Sequence, residues 1–591
     1  MSAPSERDPL LSSASSSTIR RDEDVSDSGS SHSRSLKAKA KGVGPLEITR
    51  STRYGILAGI WVATFLSAVN TTLVATLIPS ISSEFQKSNQ ASWLGTAYLL
   101  ATCTFTPLYG RLCNVLGRRG ANQCAVIFAG LGTLACGLSR NMETLILARF
   151  LCGIGGGGVF VTASIITSDM YSLRERGLSQ GIMNIFNGLG MGLGGPIGGL
   201  LTDWFGWRWA FLTQAPLFLV SILLTSWNLR YVTPGKGQTT KEILKRIDYA
   251  GSLVLMGAVL SVLIFLSNRF NLEYSWTSVG VIVPLVLGFV LALLFVYIEL
   301  RWAVEPVMAP WLLRHKITML VSASNFLVAN CNFAIQFFFP MWFQTVLLRS
   351  ASNAGLHMTP NSISMSTGSL FAGWMLHRTG KYKLLSTICG IFPFIACLLI
   401  TQIREDSGFV QEWLSIIPMG FGNAVVLQTM LSAMLAHLPE NAVAVGTGFG
   451  TLFRGIGQVG GVAISSALFQ SRLDKELRRR IHGPDAHRII TSIRHSAQLV
   501  HHLPPELQRK ARDSYAIAIK AVFTFAAVAT GLAFLVRLAV PEKELDHAPG
   551  KKVQDDEERG EGIVERLEEE QEGDNDLAGP GIRPPDGATL R

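Results

Sequence analysis

The sequence predicts an all-α protein that crosses a membrane about fourteen times. Of its 591 residues 48% are hydrophobic and only 16% charged, against about 25% charged in soluble domains. Apolar windows of about 20 residues without charge recur along the chain, each long enough to span a hydrocarbon core. A third observation divides the chain in two. The loop Gly110-Arg-Leu-Cys-Asn114-Val-Leu-Gly117-Arg118-Arg119 returns in register as Gly373-Trp-Met-Leu-His377-Arg378-Thr-Gly380-Lys381-Tyr382. Each copy follows the second span of a six-span half, as expected for a duplicated membrane bundle.

In chain order, residues 1–50 are rich in Ser, Arg, Lys and Asp and poor in aromatics, so they are predicted to be a disordered tail. Within it Glu6-Arg7-Asp8-Pro9-Leu10-Leu11 is similar to the acidic dileucine signal read by sorting adaptors of vacuole or lysosome. Apolar spans are expected at 54–80, 91–111, 121–139, 143–168, 178–202 and 207–229, forming a first half over 54–229. A linker over 230–316 holds a basic loop (Lys236, Lys241, Lys245, Arg246) and two extra spans at 248–267 and 277–299. The second half, 317–538, contains spans at 317–347, 355–376, 384–402, 411–437, 446–470 and 514–538, with a long loop at 471–513. The tail over 541–591 is acidic and predicted disordered.

Short loops carrying Arg111, Arg118, Arg119, Arg174, Arg176, Arg314, Lys316, Arg378, Lys381 and Lys383 fall on one side, with the basic N-terminal tail. The excess of Lys and Arg in short loops marks that side as cytosolic. The loop 471–513 opposes this, since it lies on the far side by count yet holds ten Lys and Arg. Long loops can cross regardless of charge, so fourteen spans are kept.

The fifth span is the most unusual. Over 188–201 it reads GLGMGLGGPIGGLL. In water each Gly would cost a helix about 1 kcal/mol against Ala, and Pro about 3. In lipid, small residues let backbones approach closely, and neighbours can satisfy the group that Pro frees. The span is therefore read either as a tightly packed structural helix or as one built to bend and slide within a moving bundle.

These residues carry a resemblance. Gly190, Gly194, Gly195, Pro196, Gly198 and Gly199 resemble the fifth-helix antiporter motif of major facilitator transporters, and the Gly110 to Arg119 loop resembles their loop between helices two and three. Arg149-x3-Gly153-x-Gly155-Gly156-Gly157 resembles their fourth-helix motif. Asn70-Thr-Thr-Leu-Val-Ala-Thr-Leu-Ile-Pro79 and Trp207-Arg208-Trp209-Ala210-Phe211 resemble the fourteen-spanner drug/proton antiporter branch. Within it, Ser168-Asp169-x4-Arg174-Glu175-Arg176-Gly177 looks like the fungal vacuolar transporters of basic amino acids. The resemblance implies a major facilitator fold of two six-helix halves plus two linker helices, alternating access, and protons as coupling ion. It implies roles in the conformational cycle for Arg149, Gly110, Asn114, Gly117, Arg118 and the 190–199 glycines with Pro196. Two positions depart from the family pattern: Asn114 and Asn70 stand where members usually carry Asp. Asn cannot carry a proton, so a latch is weakened at Asn114 and a proton carrier is missing at Asn70.

Polar groups in lipid are costly and usually face a cavity or a partner. Arg149 reads either as a structural cation bonded to carbonyls or as a gate residue. Arg454 and Gln458, four apart, share a helical face; the Arg fork could clamp a substrate carboxylate or pair across helices. Asn325, Asn332 and Gln336 form one stripe, lining a central cavity or bonding between helices. Asn70 is placed with this cavity set, and Asn184, Asn187, Asn423 and Gln428 are weaker candidates. Trp93 and Tyr98 are read as packing or interface anchors. His482, His487, His495, His501 and His502 in the long loop would titrate in an acidic lumen.

The eight cysteines lie in or beside apolar runs without a CxxC pair, so neither a disulfide framework nor a metal site is expected. No nucleophile elbow or phosphate loop points to an enzyme, and the +10 charge does not point to nucleic acid. The expectation is a secondary transporter in the bilayer that exports a small-molecule solute from the cytosol, basic amino acids into the vacuole by proton antiport. The alternatives are a plasma-membrane multidrug antiporter and a nutrient receptor that binds without transporting. If the tail signal sorts the protein, Leu10→Ala with Leu11→Ala should move a fluorescent fusion from the vacuolar to the plasma membrane; an unchanged location contradicts that role.

Overall fold

The computed structural model describes residues 48–171, 173–230, 248–302, 310–438, 443–483 and 485–543. Glu6, Leu10, Leu11, the basic loop at 236–246, nearly all of the acidic tail and the side chains of Asn114, Arg174 and Arg176 lie outside this description. The regular elements among the described residues are all helices. They are α1 (Arg50–Glu84), α2 (Ser92–Val115), α3 (Gly117–Leu138), α4 (Met142–Met170), α5 (Leu173–Phe205) and α6 (Trp207–Asn228). The linker gives α7 (Tyr249–Leu266) and α8 (Val279–Arg301). The second half gives α9 (Lys316–Thr345), α10 (Ala351–Leu356), α11 (Thr359–Thr379), α12 (Lys383–Thr401), α13 (Phe409–Met434), α14 (Val443–Arg480), α15 (Ala486–His495) and α16 (Pro505–Leu538). Short turns interrupt α6, α12 and α13 just ahead of Pro216, Pro393 and Pro418, where a ring without an N–H favours a new helix start.

Eleven described helices are long and apolar enough to cross a membrane. The helices α2, α5 and α11, of 24, 33 and 21 residues, are long enough but less apolar. With α10 leading into α11, these three complete the expected fourteen. Their composition follows from their place. In the first half α1 packs on α5 and α6, and α4 on α2 and α3; in the second α9 packs on α14 and α16, and α11 on α13. The halves meet through α5 with α10 and α11, α2 with α14, and α1 with α9. Helices at that seam face protein or an opening more than lipid, so they need less apolar surface. The linker helices pack on each other, and α7 also touches α2 and α14.

The repeated loops share a backbone device. Gly117 has φ +72° and Gly380 φ +62°, both left-handed. Side chains are disfavoured there by about 1–2 kcal/mol, so glycine is what permits both tight turns.

The glycines of α5 divide between two opposite faces. A Cβ at Gly190 would lie 2.4 Å from the Phe65 carbonyl oxygen, and one at Gly194 2.0 Å from Thr72 Oγ1, both on α1. On the other face a Cβ at Gly199 would lie 2.4 Å from the Ala351 carbonyl oxygen of α10. At Gly192 it would lie 2.7 Å from Ser362 Cβ of α11. One face of α5 is thus locked into its own half, and the opposite face forms a backbone-to-backbone seam with the other half.

That seam is closed at the end away from the Gly117 and Gly380 loops. There Gln344 Nε2 donates to the Thr76 carbonyl at 3.0 Å, and the Ser352 N–H donates to Asp203 Oδ2 at 2.9 Å. The stretch 471–513, expected as a loop, is largely helical. It carries the end of α14, then α15, a 3-10 turn over Ala497–His502 and the start of α16. It caps the closed end, with Gln498 N–H donating to Ser83 Oγ at 2.9 Å and Ser88 Oγ to the His495 carbonyl at 2.9 Å. Five of its ten Lys and Arg are ion-paired among the described residues. Arg478 and Arg494 share Glu273 and Asp474, Arg480 meets Asp513, and Arg509 and Arg512 meet Glu405. A folded cap thus neutralises half of the cations that oppose the charge rule on this side.

Two substitutions separate packing from helix propensity. Gly373, around which a Cβ would meet nothing within 4 Å, should gain about 0.5–1 kcal/mol when changed to Ala. Gly199→Ala should instead lose about 1–3 kcal/mol by overpacking. Thermal unfolding of the purified variants checks the opposite signs.

Candidate functional site

A polar cluster lies inside the first half. Asn70 is 1% exposed and its Nδ2 donates to Gln214 Oε1 at 2.7 Å, with Thr133 Oγ1 at 3.3 Å and the Leu66 carbonyl at 3.2 Å. Its carbonyl accepts from Arg149 Nη2 at 3.1 Å. Arg149, equally buried, donates through Nε to the Leu94 carbonyl at 3.0 Å, and its guanidinium lies 4.4 Å from the centre of the Tyr98 ring. Tyr98 Oη donates to the Ser67 carbonyl at 3.2 Å and accepts from Thr71 Oγ1 at 3.3 Å. The cation therefore ties the interiors of α1, α2 and α4 together through carbonyls and one ring. Among the described residues its Nη1 and the Asn70 Oδ1 have no partner, a cost in so dry a place.

Asn70 thus faces the interior of its half. The α1 stripe that is partly open is Ser67 and Thr71, three residues before Asn70 and one after it. One residue is 100° of helix, so the expected cavity residue points into the bundle while its polar neighbours reach the opening.

The second half supplies the more accessible set. On α14, Gly457 and Gly461 face the Phe326 and Asn330 carbonyls of α9, and Gly455 faces Cys103 of α2. Between those two faces run Thr451, Arg454 and Gln458. Thr451 and Arg454 are exposed and Gln458 half-buried. Arg454 makes no ion pair or hydrogen bond among the described residues. Asn325 and Asn332 of α9 are half-buried, whereas Gln336 is 7% exposed. Asn325 lies beside α14, its Nδ2 3.4 Å from where a Gly450 Cβ would stand. From Phe333 to Thr345 α9 is buried throughout. The opening therefore runs from the Gly117 and Gly380 side, the predicted cytosolic face, and is shut beyond Gln336. Among the described residues no carboxylate faces Arg454; the acidic groups sit near helix ends or outside the spans.

The weaker candidates separate too. Asn184 is exposed, Asn187 and Gln428 are half-buried, and Asn423 is 2% exposed with both side-chain polar atoms unpartnered among the described residues. Trp93 anchors the linker, its Nε1 donating to Ser267 Oγ at 3.1 Å. Tyr98, expected as a packing or interface anchor, carries Arg149.

At the turn between α2 and α3, Arg118 Nε is 2.7 Å from Asp169 Oδ2 at the end of α4, and its Nη1 donates to the Cys113 carbonyl at 3.2 Å. This ion pair is partly buried. A Cβ at Gly110 would meet nothing within 4 Å, so nothing in the structure explains a glycine there. In the cap, His482 and His487 are exposed. His495 is held below the usual histidine range by burial, then by Arg494 beside it, so it is neutral until the surroundings are more acidic than an ordinary His requires. The side chains of His501 and His502 lie outside the described residues.

The sequence missed Thr451, Ser67, Thr71 and Gln214. Thr451-x2-Arg454-x3-Gln458 and Ser67-x3-Thr71 have helical spacing and could have been found. Gln214 could not, because it reaches Asn70 across 144 residues. Arg149→Leu should remove the second hydrogen bond that the helical Leu94 and Asn70 carbonyls accept inside the bundle. A loss of about 2–4 kcal/mol is expected; an unchanged melting temperature contradicts a structural cation at this position.

The Major Facilitator Superfamily profile matches residues 60–462. The chain is 36% identical over 495 residues to the multidrug resistance protein fnx1 of Schizosaccharomyces pombe, covering 83% of this chain and 93% of fnx1. It is 31% identical to the vacuolar membrane amino acid uptake transporter fnx2 of the same yeast, covering 83% and 84%. A bacterial homologue of the human lysosomal transporter Spinster, solved inward-facing and occupied, aligns with TM-score 0.56 at 13% identity over 83% of this chain and 97% of that one. With the twin bundles, the linker pair and these matches together, the chain belongs to the Major Facilitator Superfamily of membrane transporters and is not an enzyme.

Proposed function

We propose that the protein exports amino acids from the cytosol into the vacuole by alternating access, with protons moving the other way. The observation that carries the substrate is Arg454. It stands exposed on the open stripe between α9 and α2, with Thr451 and Gln458 beside it and no described carboxylate opposite. A guanidinium in that position offers forked donors to the α-carboxylate that every amino acid carries. Asn325 and Asn332 on the neighbouring α9 can accept from, or donate to, the rest of a zwitterion. Basic amino acids remain within reach through their carboxylate, while their side-chain cation is left to amide oxygens. The vacuolar direction is supported by the fnx2 relative and by the dileucine-like tail.

A second reading has its own support. The fnx1 relative, at 36% identity, is named a multidrug resistance protein. On that reading the chain would expel amphipathic solutes at the plasma membrane, and Arg454 would not select for a carboxylate.

Uptake into sealed vesicles with an acidic interior separates the two. Lysine, arginine and histidine should enter, and the diamine left by decarboxylating lysine should not. Arg454→Gln should raise the KM for lysine by roughly 10- to 100-fold, the worth of one charged hydrogen-bonded contact. Equal transport of the diamine, or an unaltered KM, would contradict carboxylate recognition. Uptake of a cationic dye in place of lysine would favour the multidrug reading.

A further inference from the structure

At the closed end of the second half, His357 sits between α10 and α11, two residues after Gly355. A Cβ on Gly355 would lie 2.4 Å from the Gly195 carbonyl of α5, as close as Gly199 comes to Ala351, so this residue stands in the tight seam between the halves. The His357 side chain is fully buried. Its ring stacks on Phe343 with centroids 3.9 Å apart and lies 4.2 Å from the ring of Trp413.

The hydrogen-bonding of the ring fixes its proton. Nδ1 is 2.7 Å from the Asn353 carbonyl, which can only accept, so Nδ1 carries the hydrogen. Nε2 is then the lone pair of the neutral ring. It accepts from Arg349 Nη1 at 3.4 Å and lies 3.7 Å from Glu412 Oε2. Arg349 and Glu412 themselves form a forked pair at 2.8 and 2.9 Å, and Glu412 is 4% exposed. A neutral Nε2 tolerates the guanidinium. A protonated one repels it and competes for the carboxylate.

Arg349 lies on the short link from α9 to α10, directly after Leu348, whose φ of +55° is unfavourable for a branched side chain. Other charged groups near this corner are engaged elsewhere. Asp203 of α5 accepts from the Ser352 N–H, while Arg512 of α16 holds the Val346 carbonyl at 2.7 Å and Glu405 at 3.0 Å. Thus one buried histidine, with one anion and one cation in reach, adjoins the link that positions Ala351 and Gly355 against Gly199 and Gly195.

We propose that His357, with Glu412 and Arg349, is a proton-binding site that couples luminal pH to the opening of this gate. The ring is neutral while the seam is shut. When the seam opens to the lumen, Nε2 takes a proton and pairs with Glu412, Arg349 is displaced, and the link after Leu348 no longer holds α10 against α5. The site gives the chain a buried group that can take up a proton, which Asn70 and Asn114 cannot. This inference rests on the alternating-access reading given above.

The test labels the gate. Ser352→Cys in sealed vesicles is exposed to an impermeant maleimide on the luminal side, with Ser275→Cys in the exposed linker loop as the reference for thiol reactivity at each pH. Normalised labelling should rise as luminal pH falls from about 7.5 to about 5, by up to about tenfold per pH unit where one proton is linked. His357→Gln should flatten that profile. Glu412→Gln, which keeps the ring but removes its anion, should move the midpoint to lower pH and serves if the first variant fails to fold. An unaltered profile in a folded His357→Gln protein, or an unmoved midpoint in Glu412→Gln, overturns the proposal. Labelling that never rises at any pH, with or without lysine, overturns alternating access together with it.

Discussion

The close approach of α5 to both halves is the constraint on which the rest depends. On one face Gly190 and Gly194 bring its backbone against α1, and on the other Gly199 brings it against α10. No side chain larger than hydrogen fits at these points, so the contact is made by backbone. Such a surface is smooth, and without large side chains to interlock, two smooth surfaces can rock past each other at little cost. The first face holds α5 to its own half, which leaves the second to close the far end. Everything else in the seam follows its geometry, from the Gln344–Thr76 and Ser352–Asp203 hydrogen bonds to the folded cap above them.

The polar interior then divides into two kinds of site. Arg149 is enclosed, bonded to two carbonyls and laid on Tyr98, and acts as a tie among α1, α2 and α4. Arg454 is open and unpaired among the described residues, on a helix that faces both halves. Two arginines in one bundle thus have opposite environments. A cation without a protein anion is costly in a membrane unless water or a ligand reaches it, and the opening toward the predicted cytosolic face supplies that access.

Much of this was legible in the sequence. The two loop copies announced the halves, and their glycines at 117 and 380 share the left-handed turn. The glycine run of the fifth span announced close packing, and Arg454 with Gln458 announced a shared face. Helical phase was not legible where no neighbour fixes it. Asn70 was placed on the cavity, yet a turn of 100° puts Thr71 there and sends Asn70 to Gln214. The cap over 471–513 was hidden for another reason. Its order comes from Ile490, Ile493 and Val500 buried in the main core and from ion pairs with Glu273 and Glu405, both with partners distant in sequence, so charge alone read as a loop. The His357 corner was equally invisible, because Glu412 is brought to it from a different span.

The central claim is that the two ends of the seam open in alternation. Spin-label pairs at the exposed residues Arg140 and Asp406 would report the far end, and pairs at Arg119 and Arg378 the predicted cytosolic end. On adding lysine, distances at Arg119–Arg378 should shorten while those at Arg140–Asp406 lengthen, in the same fraction of molecules. Distances that stay fixed at both ends, or lengthen together, would contradict the account.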